Sequence, residues 1–155
     1  MLFFRFRRTT PVAKLTVGQP AIVEGKVVAK TWVTLPYAEQ KGVFYALTQS
    51  TFRLSERGGR RLWLVESFDQ QQSGFWVEDG TGRLYVPIQP RHFNVRGGVM
   101  LQGDVSPTRR WSAQLIKEGD RIRVYGTPDK PSGKEPKENL ALRPSPEQAI
   151  QVLIH

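Results

Sequence analysis

Apolar residues along this chain recur mostly with a period of two. Between positions 21 and 29 the set Ala21, Val23, Gly25, Val27 alternates with Ile22, Glu24, Lys26, Val28. Such alternation marks a strand with one face on a core. The small apolar set is the expected inward face, and Gly25 in mid-strand predicts a bulge or tight bend, as barrel corners need. A second strand is read over 43–52, with Phe44, Ala46, Thr48, Ser50 set against Val43, Tyr45, Leu47, Gln49. A third is read over 62–68. The polar turn 55–61 between them predicts a hairpin. Trp32 to Gly42 reads as a connection and Asp69 to Ser73 as a polar loop.

Farther on, Phe75–Val77 and Leu84–Val86 flank Asp79-Gly80-Thr81-Gly82, a tight hairpin turn between aromatic and β-branched arms. Short strands are expected over 99–105 and 111–116. Glu118-Gly119-Asp120 is a turn feeding a closing strand, 121–125, in which Ile122 and Val124 alternate with Arg121, Arg123 and Tyr125. Residues 129–138 form a Pro/Lys/Gly loop, and 139–143 a short extended piece. Ser145-Pro146-Glu147-Gln148 has the form of a capping box and predicts a helix from Pro146 to Leu153 that packs through Ala149, Ile150 and Leu153.

Many short strands and one small helix predict an all-β chain, closed or nearly closed into a barrel, because closure removes exposed strand edges. The expected division is a basic N-terminal tail or membrane-proximal stub over 1–10 and a β-barrel domain over 11–127. Residues 128–155 then form a loop, a short strand and the helix packing on the barrel.

Composition narrows the chemistry. The 155 residues are enough for one domain with a real core. There is no cysteine, which excludes disulfides, thiol catalysis and cysteine-ligated zinc or iron–sulfur sites. Histidine occurs only as His92 and His155, so a metal would need oxygen ligands, and no dense aspartate cluster offers them. No metal or cofactor is expected. The net charge of +9 and pI near 10.3 favour polyanions, either nucleic acid or anionic lipid headgroups. No segment reaches the roughly 18 apolar residues that a spanning helix needs. The start, Met1-Leu2-Phe3-Phe4-Arg5-Phe6-Arg7-Arg8, is apolar and then basic. It lacks the longer apolar region of a signal peptide. It reads as a frayed tail, an interfacial anchor or the cytoplasm-side stub of a spanning helix.

No catalytic residues are expected. His92 lies in a Pro-Arg-His-Phe loop with no nucleophile elbow in the chain. Glu78 and Asp79 are adjacent on a strand and point to opposite faces. Asp79 closes its turn through its side chain, with Gly80, Thr81 and Gly82 supplying turn geometry, as Gly119 and Asp120 do for theirs. No helix follows the glycines, so they do not cradle phosphate. Aromatic residues interleaved with arginine are the better candidates for binding: Trp32, Tyr37, Arg60, Arg61, Arg109, Arg110 and Trp111.

The order of motifs resembles an OB-fold. Val23-Glu24-Gly25-Lys26-Val27 stands as its first strand with a mid-strand glycine, Asp79-Gly80-Thr81-Gly82 as its central hairpin, and Gly119-Asp120 to Gly126 as a turn into its last strand. More narrowly, the chain resembles the GIDE-type domain of membrane-anchored ubiquitin ligases and prokaryotic membrane proteins. The positions carrying that resemblance are Thr10-Pro11 with Lys14-Leu15, Leu35-Pro36 followed by Gly42-Val43-Phe44-Tyr45, Trp63, Phe75 with Asp79-Gly80-Thr81-Gly82 and Val86, and Glu118-Gly119-Asp120 to Gly126. They span about 9–127. Many relatives place a cysteine before the strand-two tyrosine, where this chain has Phe44. The RING finger of the ligases needs cysteine ligands this chain does not have. The resemblance implies an OB-like barrel that recognises or scaffolds other proteins beside a membrane, with the cytoplasmic side favoured. The alternative expectation is an OB-fold that binds single-stranded nucleic acid through stacking in a basic groove.

Overall fold

The computed structural model describes residues 8–54, 59, 61–88, 93–146 and 148–155, without the side chains of Leu54 and Arg61. The described chain is built of strands, with one 3-10 turn at Val12–Lys14. Five strands form a ring: β1 (Ala21–Ala29), β6 (Phe75–Glu78), β7 (Arg83–Val86), β12 (Ala141–Arg143) and β11 (Arg121–Asp129), which pairs back onto β1. All neighbours are antiparallel except β12 and β7, which run parallel through Ala141 and Tyr85. Numbered along the chain, the staves run first, second, third, fifth, fourth and back to the first. That is the arrangement of an OB-like small barrel.

Closure depends on β1 serving two partners. Ala21–Lys26 pair with β11 and Lys26–Ala29 with β6. The strand must bend where it changes partner, and Gly25 sits there. A Cβ on Gly25 would lie 2.3 Å from the Glu78 carbonyl oxygen, so only glycine admits the approach. The expected inward set is buried at Val23, Gly25 and Val27, and Ile22 is buried as well. Inside the ring, Val23, Val27, Phe75, Val77, Leu84, Val86, Ile122, Val124 and Leu142 form one continuous core.

Two insertions leave the ring. Between the first and second staves come the hairpin β2 (Val33–Leu35) with β3 (Gln40–Gly42), then β4 (Phe44–Leu54) and β5 (Arg61–Gln72). Between the third and fourth come β8 (Phe93–Gly97), β9 (Met100–Ser106) and β10 (Arg109–Ile116). The insertions meet, because β4 pairs with β10, and the result is a second, four-stranded antiparallel sheet in the order β5-β4-β10-β9. Its base packs on the barrel core through Phe44 and Ile116. One face carries its own cluster, Leu35, Tyr45, Leu47, Trp111, Ala113 and Leu115, with Val33 and Ala38 of the β2–β3 hairpin packed against it.

Three expectations are corrected. The helix over 146–153 is absent: β13 (Ile150–Ile154) stands there, antiparallel to β11 and parallel to β8. Ser145 and Gln148 exchange backbone hydrogen bonds of 3.0 and 3.3 Å, so the expected cap is a tight turn. Ile150, Val152 and Ile154 are buried in alternation. Backbone partners on both sides satisfy a five-residue strand better than about two helical turns satisfy themselves. The expected polar loop 69–73 is strand up to Gln72, where Gln72 and Ser73 are buried with Gln72 donating to the Pro87 carbonyl and Ser73 to that of Thr31. The connection 32–42 contains the β2–β3 hairpin, which turns through left-handed Tyr37 and Glu39. The short extended piece read over 139–143 holds the fifth stave, β12, and β11 runs on to Asp129.

The glycines give a graded test. Gly25→Ala drives a Cβ into backbone and is expected to cost about 2–3 kcal/mol. Gly119→Ala has open space but a left-handed backbone, φ 88°, and is expected to cost about 1 kcal/mol. Urea midpoints compared at a common m-value check the order.

Candidate functional site

Among the described residues no three His, Cys, Asp or Glu side chains gather as a metal site would require. A cleft of about 410 Å³ opens at one end of the barrel, lined by Glu24, Gly25, Lys26, Glu78, Glu118 and Arg121 among others. Its carboxylates already have partners. Glu78 pairs with Arg83 at 2.7 Å, Glu24 faces Arg123 at 3.5 Å and His155 at 3.2 Å, and Glu118 accepts from the Ala29 N–H at 3.2 Å. Each of these carboxylates is thus engaged by a side-chain cation, an imidazole or a backbone N–H.

The turn residues do the structural work expected of them. Asp79 accepts from the Thr81 N–H (2.8 Å) and hydroxyl (2.7 Å), and its second oxygen accepts from the Val12 N–H at 2.8 Å, which pins the N-terminal segment to the barrel. Burial alone would raise the Asp79 pKa, but the hydrogen bonds from Thr81 and Val12 outweigh it and hold the carboxyl below its ordinary range. Gly82 lies against Val12 in the same contact. Asp120 accepts from the Lys117 N–H at 2.9 Å, and Gly119 and Asp120 exchange backbone bonds with Val27, which fastens this turn to β1.

The outer face of β6 and β7, the usual ligand face of an OB barrel, is occupied by the chain itself. Trp76 packs on Tyr85 at 5.7 Å and donates its indole N–H to Asn139. Arg83 sits over Trp76 and Lys30 over Tyr85. Glu135 and Arg143 clamp the intervening loop through a charged hydrogen bond, which lowers the Glu135 pKa and raises that of Arg143.

The open surface is the far end of the second sheet. Alternation and register assign its faces. Leu62 and Leu64 of β5 share the face of Tyr45, Leu47, Gln49, Trp111 and Ala113, while Trp63, Val65 and Phe68 share the other face with Phe52, Ser50 and Arg110. On the first face Tyr37, half exposed, stacks on Trp111 at 6.1 Å and 19° and donates to Gln49. Trp111 itself is only 7% exposed and belongs to the cluster beneath. Tyr45 is buried there and donates to Asp69 at 2.8 Å. Burial and that bond push its pKa up to about 12. On the second face the Arg110 guanidinium lies 4.1 Å from the centre of the Trp63 ring, and Phe52 meets that ring edge-on at 5.4 Å. Arg109 reaches Glu66 at 3.6 Å.

Of the sequence candidates, the structure brings Tyr37 to Trp111 and sets Arg109 and Arg110 beside β5. Trp32 is exposed just before β2 and joins neither group. Arg60, the side chain of Arg61, and His92 lie outside the described residues. Sequence reading passed over Leu62, Leu64, Val65 and Phe68, all exposed here, Val65 at 68% and Phe68 at 63%. The signal was present: Leu62-Trp63-Leu64-Val65 is apolar at both parities, the pattern of a strand buried on both faces. In this fold β5 is instead an edge strand with both faces open at its end.

No protein-family model, curated protein or solved structure matches this chain.

The Asp79 contacts give a pH test. A carboxyl depressed below its unfolded value of about 3.9 adds stability that is complete above that value and is lost as pH falls through the folded pKa. Asp79→Asn leaves one acceptor oxygen where Val12 and Thr81 need two, and is expected to cost about 1–2 kcal/mol at neutral pH. The gap between variant and parent should shrink in acid, as followed by urea midpoints across pH.

Proposed function

We propose that this chain is a non-enzymatic protein-recognition or scaffolding module of the GIDE-like type, and that its docking surface is the far end of the second sheet rather than the barrel wall. One observation carries the reading. Among the described residues β5 is an edge strand, hydrogen-bonded to β4 alone, and its exposed side chains Leu62, Leu64, Val65 and Phe68 are apolar. Natural proteins normally blunt such an edge or cover it, because a row of unpaired backbone groups beside apolar side chains recruits another strand. Domains that recognise extended peptides use this same exposure, taking affinity from main-chain pairing and specificity from alternate side chains. The barrel supplies the rigid base and the insertions supply the contact surface. A position beside a membrane, with the cytoplasmic side favoured, is supported by the apolar and then basic segment Met1–Arg8.

A second reading, single-stranded nucleic-acid binding, is favoured by the Arg110–Trp63–Phe52 stack and the net charge of +9. In that case the affinity for a labelled oligothymidylate falls steeply between about 50 and about 200 mM salt. The recognition reading expects no such binding at the higher salt.

Panning a library of extended peptides on the full chain tests the recognition reading. Selected peptides should lose about tenfold or more in affinity on a Val65→Ser/Phe68→Ser variant, whose exposed positions leave stability within about 0.5 kcal/mol. Equal binding to parent and variant would remove β5 as the site. For the membrane placement, deleting Met1–Arg8 should abolish co-sedimentation with vesicles rich in phosphatidylserine.

A further inference from the structure

Resting on the reading of β5 as a docking edge, we propose that its ligand is an acidic segment: a short apolar core in extended form, flanked by aspartate or glutamate, that adds as a new strand along Leu62–Val65.

The bulge in β5 chooses the half. Gln49 pairs with Ser67 and Ser50 with Val65, so Glu66 is the extra residue that breaks the ladder. An added strand cannot run straight through this break. It pairs either beyond it, along Leu62–Val65, or before it, along the segment that starts at Ser67. The two halves differ in kind. Beyond the bulge, Leu62 and Leu64 lie on one face and Trp63 and Val65 on the other, so an incoming strand meets apolar neighbours whichever way its side chains point. Before it, after exposed Phe68, come Asp69, which accepts from Tyr45, and a run of glutamines. A ligand with an apolar core therefore belongs on the far half.

Charge selects the flanks. Arg53 lies opposite Leu62 in the β4–β5 ladder and is exposed. Arg109 and Arg110 lie opposite Thr51 and Ser50, whose other neighbours are Leu64 and Val65. In the sequence, residues 55–61, which join β4 to β5, carry Arg57, Arg60 and Arg61 with one acid, Glu56. Among the described residues, Arg53, Arg109 and Arg110 stand against Glu66, which Arg109 already holds, and Asp104, which lies opposite Arg110 in the β9–β10 ladder. This end of the sheet thus presents a cationic rim of Arg53, Arg109 and Arg110 beside its apolar edge. Within a Debye length of about 8 Å, acidic residues beside the paired core are attracted and basic ones repelled. The same rim argues against a second copy of this chain. Antiparallel pairing of Leu62–Val65 with itself would bring two arginine clusters together on a chain already at +9. Nucleic acid would satisfy the arginines but leave Leu62, Leu64 and Val65 without apolar partners.

Defined peptides separate these outcomes. Three labelled octapeptides share a central Val-Ile-Val-Ile: one has two glutamates at each end, one has two lysines, and one has the glutamate flanks with alternate central amides N-methylated. Titrated into the full chain and read by fluorescence anisotropy, the glutamate peptide should bind at least about tenfold more tightly than the lysine peptide, and N-methylation should abolish binding. An Arg53→Gln/Arg110→Gln variant should cut the ratio between the first two to about threefold or less, while a circular dichroism spectrum like the parent's reports the intact fold. Equal affinity for the glutamate and lysine peptides would overturn the acidic assignment and leave the docking edge standing. If none of the peptides binds, the docking edge itself fails. Displacement of the glutamate peptide by oligothymidylate at lower concentration than by unlabelled peptide would give the surface to nucleic acid and overturn the proposal.

Discussion

Everything in this fold rests on one strand pairing with two neighbours. β1 lies against β11 over its first half and against β6 over its second, and the backbone turns the corner where Gly25 lets the Glu78 carbonyl approach. Without that corner the five staves would be an open sheet with two exposed edges. With it, Val23 and Val27 point into the same interior as Val77, Leu84, Ile122 and Val124. The turns at Asp79 and Gly119–Asp120 flank this corner. Asp79 also ties down the segment before β1, while Gly119 and Asp120 bond back to Val27.

A closed barrel leaves little backbone for a partner to pair with, and here the outer face of β6 and β7 is further filled by Trp76, Tyr85, Asn139 and the Glu135–Arg143 clamp. The chain's open surface comes from elsewhere. Two insertions, from different sides of the ring, join through β4 and β10 into a sheet whose base shares the barrel core and whose end stands clear of it. The shared core at the base fixes the position of the end relative to the barrel.

Arginine at that end does more than add charge. Arg110 covers the Trp63 ring and Arg109 holds Glu66, the residue displaced by the bulge. The guanidinium planes shield part of the apolar surface while keeping their own charge in water.

The periodic parts of the fold were legible in the sequence. Alternation located β1, β4 and β11, short strands were read where β9 and β10 stand, the Asp-Gly turn located β6 and β7, and Gly25 marked the corner, because steric and hydrogen-bonding rules for these features act over a few residues. Distant backbone decided the rest. Ile150–Ile154 can present an apolar side as a helix or as a strand, and only the waiting edges of β11 and β8 made the strand the better choice. Leu62-Trp63-Leu64-Val65 reads as a strand buried on both faces. Whether a neighbour covers it depends on the order of strands in the sheet, which local sequence does not encode, and here that order leaves it at the edge. The chain by itself therefore determined which segments are strands and which charges and rings they carry. Tertiary structure alone decided which of those rings are covered, as Trp111 is by Tyr37, and which apolar run faces water, because exposure depends on contacts between segments far apart in sequence.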